Sequence, residues 1–430
     1  MTRTAFRGSE LLRLLPLLAL YLAVLAAFPA HADDEASYVD LAHRLTAGTY
    51  VTGDDDALLD ADPTSPDLWF GPGLPAVLAP LVAAGAPLSV LRLAGPLFLF
   101  AAVVAFYALA RRRWSSSVSL AASYALGLYP PFWPLLSNLH SEPLAVLFVV
   151  LAMLGLAGAI SQSATWGFVL APLALAGLAL TRVAYGWVLT LVLVASALAA
   201  VTRRRPTAIR LAVVVGAALL LCTPWLAYTQ AKTGRPLQWG NSGALSLYWM
   251  ASPFPGDSGD WRQADDVFSD PALERHRPFF ASLRGLSLAQ QNDEIERRAV
   301  ANIVDHPLAY AGNIAANVSR LLANWPYSDS DWDPNDVFYA VSNAAVVAAI
   351  LFSLITLLPR RATLPPETGA FVLLGVTALV LHLLVSTYPR MLAPIIPLVV
   401  WLTTLAVVET GTHTAITRFA RRKAEPTASS

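Results

Sequence analysis

The sequence is poor in charge and almost free of cysteine. Only 13% of its 430 residues are charged, where a soluble domain carries roughly 25%. The 29 basic and 29 acidic side chains cancel, so the composition does not indicate a bulk electrostatic partner such as nucleic acid. Cys222 is the single cysteine, which excludes a disulfide within the chain and a thiolate metal site.

What the chain has instead is apolar sequence, with 56% hydrophobic residues and a mean hydropathy of +0.54. A helix needs about 20 apolar residues to cross the hydrocarbon of a bilayer. We therefore predict an all-α polytopic membrane protein. Its ten predicted spans are 11–30, 88–110, 116–135, 143–161, 166–181, 183–201, 210–228, 337–358, 369–387 and 391–409.

Proline is abundant, with 31 residues, and many prolines lie inside or beside apolar runs. This is typical of membrane helices that are broken or bent around a cavity. The fifth and sixth predicted spans are either a tight pair hinged near Arg182 or one long bent element.

Arginine and lysine cluster beside alternate spans, and this predicts the orientation of the chain. With ten spans, all five clusters fall on one side, and that side is the cytoplasm. The clusters are Arg3, Arg7 and Arg13; Arg111, Arg112 and Arg113; Arg203, Arg204 and Arg205; Arg360 and Arg361; and Arg418, Arg421, Arg422 and Lys423. We predict one domain over 1–430 in the plasma (inner) membrane. It has extracytoplasmic loops at 31–87 and 229–336 and a basic cytoplasmic tail at 410–430.

The first predicted span has an alternative interpretation. Its basic start, its apolar core and Ala30-His31-Ala32 together are also typical of a signal peptide with a cleavage site. Cleavage there would leave the orientation of every later span unchanged.

Three acids, Asp33, Asp34 and Glu35, follow the first span directly. Charge is costly to desolvate near hydrocarbon, so we predict that one of them takes a proton from an acceptor hydroxyl. The alternative is that they are ordinary charges of an outside loop. An interfacial helix over 37–47, ended by Gly48, is expected next. A second acidic run over 54–67 is either a solvated loop or a site for a hard divalent cation.

Further polar residues occur near the predicted ends of other spans. Lys232 and Arg235 either meet lipid phosphate or anchor a helix at the interface. Glu142 either binds sugar hydroxyls or is a first-turn acid favoured by the helix dipole. Ser287 and Gln290 predict a capping box that opens a helix over 288–304, and a second helix is expected from Pro307.

The chain resembles the GT-C superfamily of integral-membrane glycosyltransferases, in particular the bacterial branch related to protein O-mannosyltransferases and lipid A aminoarabinose transferases. The resemblance extends over about residues 30 to 400. Four stretches carry it: Asp34-Glu35-Ala36-Ser37-Tyr38 with Ala42 and Gly48; Pro224-Trp225 through Lys232-Thr233-Gly234-Arg235-Pro236 with Gly243 to Tyr248; Glu294 through His306-Pro307 and Tyr310; and Arg390 through Pro394 and Pro397.

The resemblance implies transfer of a sugar from a polyprenyl phosphate to an acceptor hydroxyl, with inversion at the anomeric carbon. It implies Asp34 as the base, with Glu35 orienting the acceptor or helping to place Asp34, and Tyr38 beside the substrate. The extra Asp33 leaves open which aspartate is the base. The chain also departs from the family pattern at Arg390-Met391, where the family has Arg-Tyr.

The resemblance also implies a cation cluster for the lipid phosphate, for which Arg390 comes first, followed by Arg182, Lys232 and Arg235. A divalent metal near the first-loop acids stays open, as does the acceptor, which is a lipid, a glycan or a protein. The aromatic residues Trp239, Tyr248 and Trp249 are candidates for stacking on sugars. The alternative functions are a polysaccharide polymerase or ligase and a transporter or flippase of lipid-linked sugar.

Overall fold

The protein is helical throughout the part of the chain that the computed structural model describes, which is residues 8–28, 34–50, 68–328, 332–409 and 411. Every regular element in those ranges is a helix, so the predicted all-α class is confirmed. Asp33, the acidic run at 54–67 and most of the basic tail lie outside these ranges.

The described residues of the first half of the chain form twelve α-helices. They are α1 (Gly8–Leu12), α2 (Leu15–Ala27), α3 (Glu35–Thr46), α4 (Gly73–Ala83), α5 (Leu88–Leu91), α6 (Ala94–Arg111), α7 (Ser116–Gly127), α8 (Glu142–Leu156), α9 (Thr165–Thr181), α10 (Ala184–Arg203), α11 (Pro206–Leu221) and α12 (Thr223–Thr233). Two 3₁₀ turns, Pro130–Phe132 and Pro134–Leu136, follow α7, and a π-helical turn, Ala157–Ser161, follows α8.

The described residues of the second half form eight more α-helices. They are α13 (Ser242–Met250), α14 (Asp266–Ser269), α15 (Arg277–Ala281), α16 (Leu288–Asp305), α17 (Pro307–Ala323), α18 (Pro334–Leu357), α19 (Pro366–Leu383) and α20 (Ile396–Glu409). Three 3₁₀ helices, Pro271–His276, Leu358–Thr363 and Pro389–Ile395, complete it.

Within the part of the chain that the structure describes, seven helical segments are long and apolar enough to cross a membrane. They are Glu10–Ala27, Leu88–Arg111, Glu142–Ser161, Ala184–Arg203, Pro334–Arg361, Pro366–Leu383 and Pro389–Val408. The bent pair α11 and α12, with 50° between its halves, makes an eighth if it is one span. The chain is thus a polytopic membrane protein.

The two remaining predicted spans, 116–135 and 166–181, contain helices that are too short to count among these segments. The third holds only the 12 residues of α7, because the prolines from Pro130 to Pro134 lack the N–H that would continue it. The fifth is the 17-residue α9, which ends at Thr181. Arg182 adopts an extended conformation between α9 and α10, so these two helices are the hinged pair rather than one bent element.

The segment from α13 to α17 has its own apolar core, built around Trp249, Phe280 and Ile295. The predicted capping box of Ser287 and Gln290 is present at the start of α16, and α17 begins at Pro307 as expected. Within this core, the buried His276 contacts the Tyr248 hydroxyl through Nδ1 at 2.8 Å and Asp257 through Nε2 at 3.0 Å.

Candidate active site

A cavity of about 850 Å³ lies where α3, the hinge between α9 and α10, the start of α13 and the Pro389–Ile395 turn come together. Its walls combine residues far apart in sequence. Charged or ionisable ones include Asp34, His140, Arg182 and Arg390. A cavity of this size accommodates a ligand larger than a monosaccharide, since small-molecule pockets measure roughly 300–1,000 Å³.

Asp34 and Arg390 meet in the wall of this cavity. Asp34 immediately precedes α3, and Arg390 is the second residue of the 3₁₀ helix that leads into α20. The Arg390 guanidinium donates to Asp34 Oδ2 across 3.0 Å, and both side chains are partly exposed to the cavity. The two residues that the resemblance ranks first as base and as phosphate ligand are therefore in direct contact.

Glu142 holds Arg182 beside Arg390. Arg182 Nη1 donates to Glu142 Oε1 across 2.7 Å, and Arg390 Nε lies 3.7 Å from the same oxygen. Glu142 is only 1% exposed, opens α8, and is not among the residues that line the cavity. It is therefore a buried counter-charge that fixes the spacing of Arg182 and Arg390, and it also occupies the expected first-turn position.

The backbone at the hinge is positioned by a close contact with the first loop. A Cβ atom on Gly71 would lie 2.2 Å from the carbonyl oxygen of Leu180, and one on Gly73 would lie 2.3 Å from Thr181 Oγ1. Only glycine permits this approach. The contact determines where α9 ends and thereby where Arg182 enters the cavity.

Glu35 points away from the cavity. Arg92 donates to both of its carboxylate oxygens, at 2.8 and 2.6 Å, and the Leu139 N–H donates to it at 3.0 Å. Burial raises the pKa of Glu35, but the hydrogen bonds and the charge of Arg92 outweigh burial and hold that pKa below its ordinary range. Glu35 thus ties the start of α3 to the bundle and, through the chain, places Asp34.

Tyr38 lies one turn after Asp34 on α3 and lines the cavity. Its ring packs on Phe70 with 4.9 Å between centroids. Burial and the nearby charge of Asp34 raise the pKa of its hydroxyl, which therefore stays protonated at neutral pH and can donate a hydrogen bond.

A second wall of the cavity consists of neutral side chains. Trp69 and Trp261 meet edge to face with 6.0 Å between ring centroids, and Gln263 and Asn335 also line the cavity. Aromatic faces with neutral hydrogen-bonding groups suit a ligand that has both apolar faces and hydroxyl groups.

The position of Trp261 is set by the residue before it. Asp260 accepts hydrogen bonds from Ser328 Oγ at 2.8 Å and from the Ser328 N–H at 3.3 Å, and Arg262 lies 3.3 Å away. Burial raises the pKa of Asp260, although Arg320, Ser328 and Arg262 oppose that shift.

The structure places the other predicted residues elsewhere. Lys232 is exposed and lies 5.9 Å from the Tyr228 ring centroid, while Arg235 pairs with Asp293 and lies 3.8 Å from Glu296. Neither cation lines the cavity. Tyr248 and Trp249 belong to the core of the α13–α17 segment, whereas Trp239 does line the cavity although it is almost fully buried.

No cluster of three or more His, Cys, Asp or Glu side chains suited to a metal ion occurs among the residues described. Asp33 and the acidic run at 54–67 lie outside the described residues. A divalent metal ion near these first-loop acids therefore stays a prediction.

Neither a protein-family model nor a curated protein matches the chain. Among solved structures, it is similar to the crystal structure of ArnT from Cupriavidus metallidurans bound to undecaprenyl phosphate, with 16% sequence identity and a TM-score of 0.42. The similarity covers 95% of this chain and 80% of that one.

Proposed function

We propose that this protein is a membrane glycosyltransferase of the GT-C type that works at the extracytoplasmic face. It moves a sugar from a polyprenyl phosphate to an acceptor hydroxyl, with inversion at the anomeric carbon. The observation that carries this proposal is the meeting of Asp34, Arg390 and Arg182 at one cavity, because the reaction needs a base beside a phosphate-binding pair of cations.

Asp34 acts as the base. It takes the proton of the acceptor hydroxyl while the acceptor oxygen forms a bond to the anomeric carbon. The bond from that carbon to the phosphate oxygen breaks, and its electron pair leaves with the polyprenyl phosphate. General-base catalysis of this kind contributes about 10²–10⁴-fold to a rate.

The charges of the site match the charges of this step. Arg182 and Arg390 carry two positive charges, and Asp34 and Glu142 carry two negative ones, so the group is neutral before reaction. When Asp34 accepts the proton, the group gains one positive charge. The leaving phosphate gains one negative charge in the same step, so the change at the site stabilises the change in the substrate.

The remaining predicted residues take supporting roles. Glu35 positions Asp34 through its contacts with Arg92 and Leu139. Tyr38 donates a hydrogen bond to bound substrate from the wall beside Asp34. Lys232 and Arg235 lie outside the cavity lining and anchor the end of α12 at the interface.

The wall formed by Trp69, Trp261 and Gln263 receives a sugar ring. The C–H face of a pyranose packs on an aromatic ring, and its hydroxyls bond to neutral amide groups. This wall supports a carbohydrate substrate over a purely apolar ligand, since an apolar ligand would leave the amide groups of Gln263 and Asn335 without hydrogen-bond partners.

The test is transfer of radiolabelled sugar from a panel of polyprenyl-phosphate donors in membranes that contain the protein. The variant Asp34→Asn should lose about 10²-fold or more of the wild-type rate. Asp40→Asn is the matched control, because Asp40 lies on the same helix but pairs with Arg44 on an exposed face. Equal rates for wild type and Asp34→Asn would overturn the base assignment. Movement of labelled lipid across the membrane without release of polyprenyl phosphate would indicate a flippase instead.

A further inference from the structure

Helix α17 buries three polar side chains beside the apolar Leu321 and exposes apolar side chains on its other face. Asn313, Asn317 and Arg320 are buried, although two are amides and one is a cation. Leu308 is 86% exposed, and Val318 is exposed as well. This is the reverse of the arrangement that a helix adopts on the surface of a water-soluble domain.

The buried face of α17 bonds to backbone carbonyls of two neighbouring segments. Asn313 donates to the carbonyls of Met250 and Ser252 at 3.0 and 2.9 Å. Asn317 donates to those of Leu383 and Val385 at 3.2 and 2.7 Å, at the end of α19. These bonds explain why polar residues are needed on this face.

Arg320 continues the same face one turn later. It donates to the carbonyls of Gly259 at 3.2 Å and Pro326 at 3.0 Å, and it also bonds to that of Ser258. The carbonyls of Ser258 and Gly259 directly precede Asp260 and Trp261. The buried face of α17 therefore holds the loop that carries Trp261 into the cavity.

The exposed face of α17 contains only small or apolar side chains. Its members recur every three or four residues and are Leu308, Ala311, Gly312, Ala315 and Val318. On α16, just before α17, Val304 is 72% exposed and Val300 is also exposed. Asp305 and His306 are exposed at the junction of the two helices, and the other charged side chains of α16, such as Arg297, lie between positions 293 and 298. Exposed apolar side chains thus lie on both sides of a short polar stretch, Asp305 and His306, at the junction of the two helices.

This apolar surface adjoins the side of α19 that faces lipid. Val376, Val380 and Leu384 form an exposed apolar stripe at four-residue spacing along α19 and its end. The Tyr310 hydroxyl donates to the Leu384 carbonyl across 2.9 Å, so α17 starts where the stripe ends. A span exposes such a stripe to acyl chains, and the exposed face of α17 extends it.

We propose that the exposed face of α17, together with Val300 and Val304, is immersed in the acyl chains of the bilayer leaflet on the cavity side. The occupant is lipid hydrocarbon, because the face is apolar and is continuous with a membrane-spanning surface. The protein thereby fixes the position of the Trp261 loop along the membrane normal, since the opposite face of α17 holds that loop. This proposal does not depend on the reaction that the cavity catalyses.

The test uses the single cysteine of the chain. In a Cys222→Ala background, Leu308→Cys is labelled with the environment-sensitive fluorophore NBD, and the full-length protein is reconstituted in phosphatidylcholine vesicles with or without brominated acyl chains. Glu274→Cys is the matched control, because that side chain is 75% exposed and lies in the 3₁₀ helix Pro271–His276, outside α16 and α17. Equal melting temperatures for both labelled proteins show that each is folded.

We expect blue-shifted NBD emission at position 308 and a loss of most of that emission in brominated vesicles, with little change at position 274. Water-like emission at 308 without bromine quenching would overturn the proposal. A second result would also overturn the proposal. In it, bromine does not quench the blue-shifted emission, and the intensity of that emission decreases when the protein is diluted in lipid. This would show that a second copy of the chain covers the face.

Discussion

Arg390 donates a hydrogen bond to Asp34 across 3.0 Å, although 356 positions separate the two residues in sequence. The pair has a consequence for the proposed reaction. A carboxylate that accepts from a guanidinium is a weaker base than a free one. In the proposed reaction, a donor phosphate bound to Arg390 would compete with Asp34 for the same N–H groups, so donor binding would free Asp34 to act as the base.

The contribution of Arg390 can be measured by substitution. Arg390→Ala should lower the rate of sugar transfer by roughly 10²-fold or more, because it removes a cation from the developing phosphate charge. Arg390→Lys should restore only part of the rate, since lysine lacks the planar fork that reaches Asp34 and Glu142 together. Initial rates with a radiolabelled polyprenyl-phosphate sugar measure both effects.

Arg235→Ala is the control for that experiment. Arg235 pairs with Asp293 outside the cavity lining, and exposed ion pairs contribute about 0–1 kcal/mol. Its loss should leave transfer near the wild-type rate. A rate for Arg235→Ala as low as that for Arg390→Ala would contradict the assignment of the phosphate site to the cavity arginines.

The cluster at the cavity was largely predictable, and the reason is that its residues sit at helix ends. Asp34 follows a span, Arg182 lies between two spans and Arg390 lies in a turn, where polar residues among apolar ones are conspicuous. Lys232 and Arg235 satisfy the same criterion, yet the bend between α11 and α12 carries them to another surface. Position near a span end does not specify the direction of a helix after a bend.

The partners of Glu35 and Asp260 were not predictable from local sequence. Arg92, at the end of α5, meets Glu35 across 57 positions, and Ser328 meets Asp260 across 68 positions. Nor does Trp69 or Trp261 differ in sequence context from the other tryptophans at the membrane interface. Contacts of this kind are set by tertiary packing, which hydrophobic periodicity does not encode.

The close approach at Gly71 gives a second prediction. In Gly71→Ala, the new methyl group would overlap the Leu180 carbonyl, so the end of α9 must shift and Arg182 with it. Overpacking of this kind costs about 1–3 kcal/mol. We expect a lower melting temperature and slower transfer. Gly369→Ala, in α19 with no atom within 4 Å of the new methyl, is the control and should be neutral or slightly stabilising.

The neutral wall of the cavity, which contains Trp261, gives a third prediction. Trp261→Ala should raise the KM for the substrate whose sugar ring packs there by up to about 10-fold, because an aromatic ring contact contributes about 0.5–1.5 kcal/mol and about 1.4 kcal/mol corresponds to a factor of ten. Trp261→Phe should recover most of the loss because it keeps an aromatic face. Release of polyprenyl phosphate at saturating substrate should change much less. A fall in kcat at unchanged KM would instead place Trp261 in the chemical step.

The buried Asp257 gives a prediction on pH. Burial raises the pKa of Asp257, but hydrogen bonds from His276 and Ser252 and the charge of Arg275 outweigh it, so its pKa lies below the ordinary value of 3.8. The folded protein therefore binds fewer protons at this site than the unfolded chain does, and the stabilisation is complete above about pH 4 and is lost as pH falls through the folded-state pKa.

Asp257→Asn removes this stabilisation, and breaking a buried charge pair costs about 3–5 kcal/mol. Thermal unfolding in detergent, followed from pH 7 to pH 3, should show a lower melting temperature for the variant at pH 7 and a gap to wild type that narrows below about pH 4. Asp305→Asn, at an exposed position at the end of α16, should follow wild type throughout. A difference in melting temperature that stays constant across this pH range would mean that Asp257 stabilises the α13–α17 segment by its shape rather than by its charge.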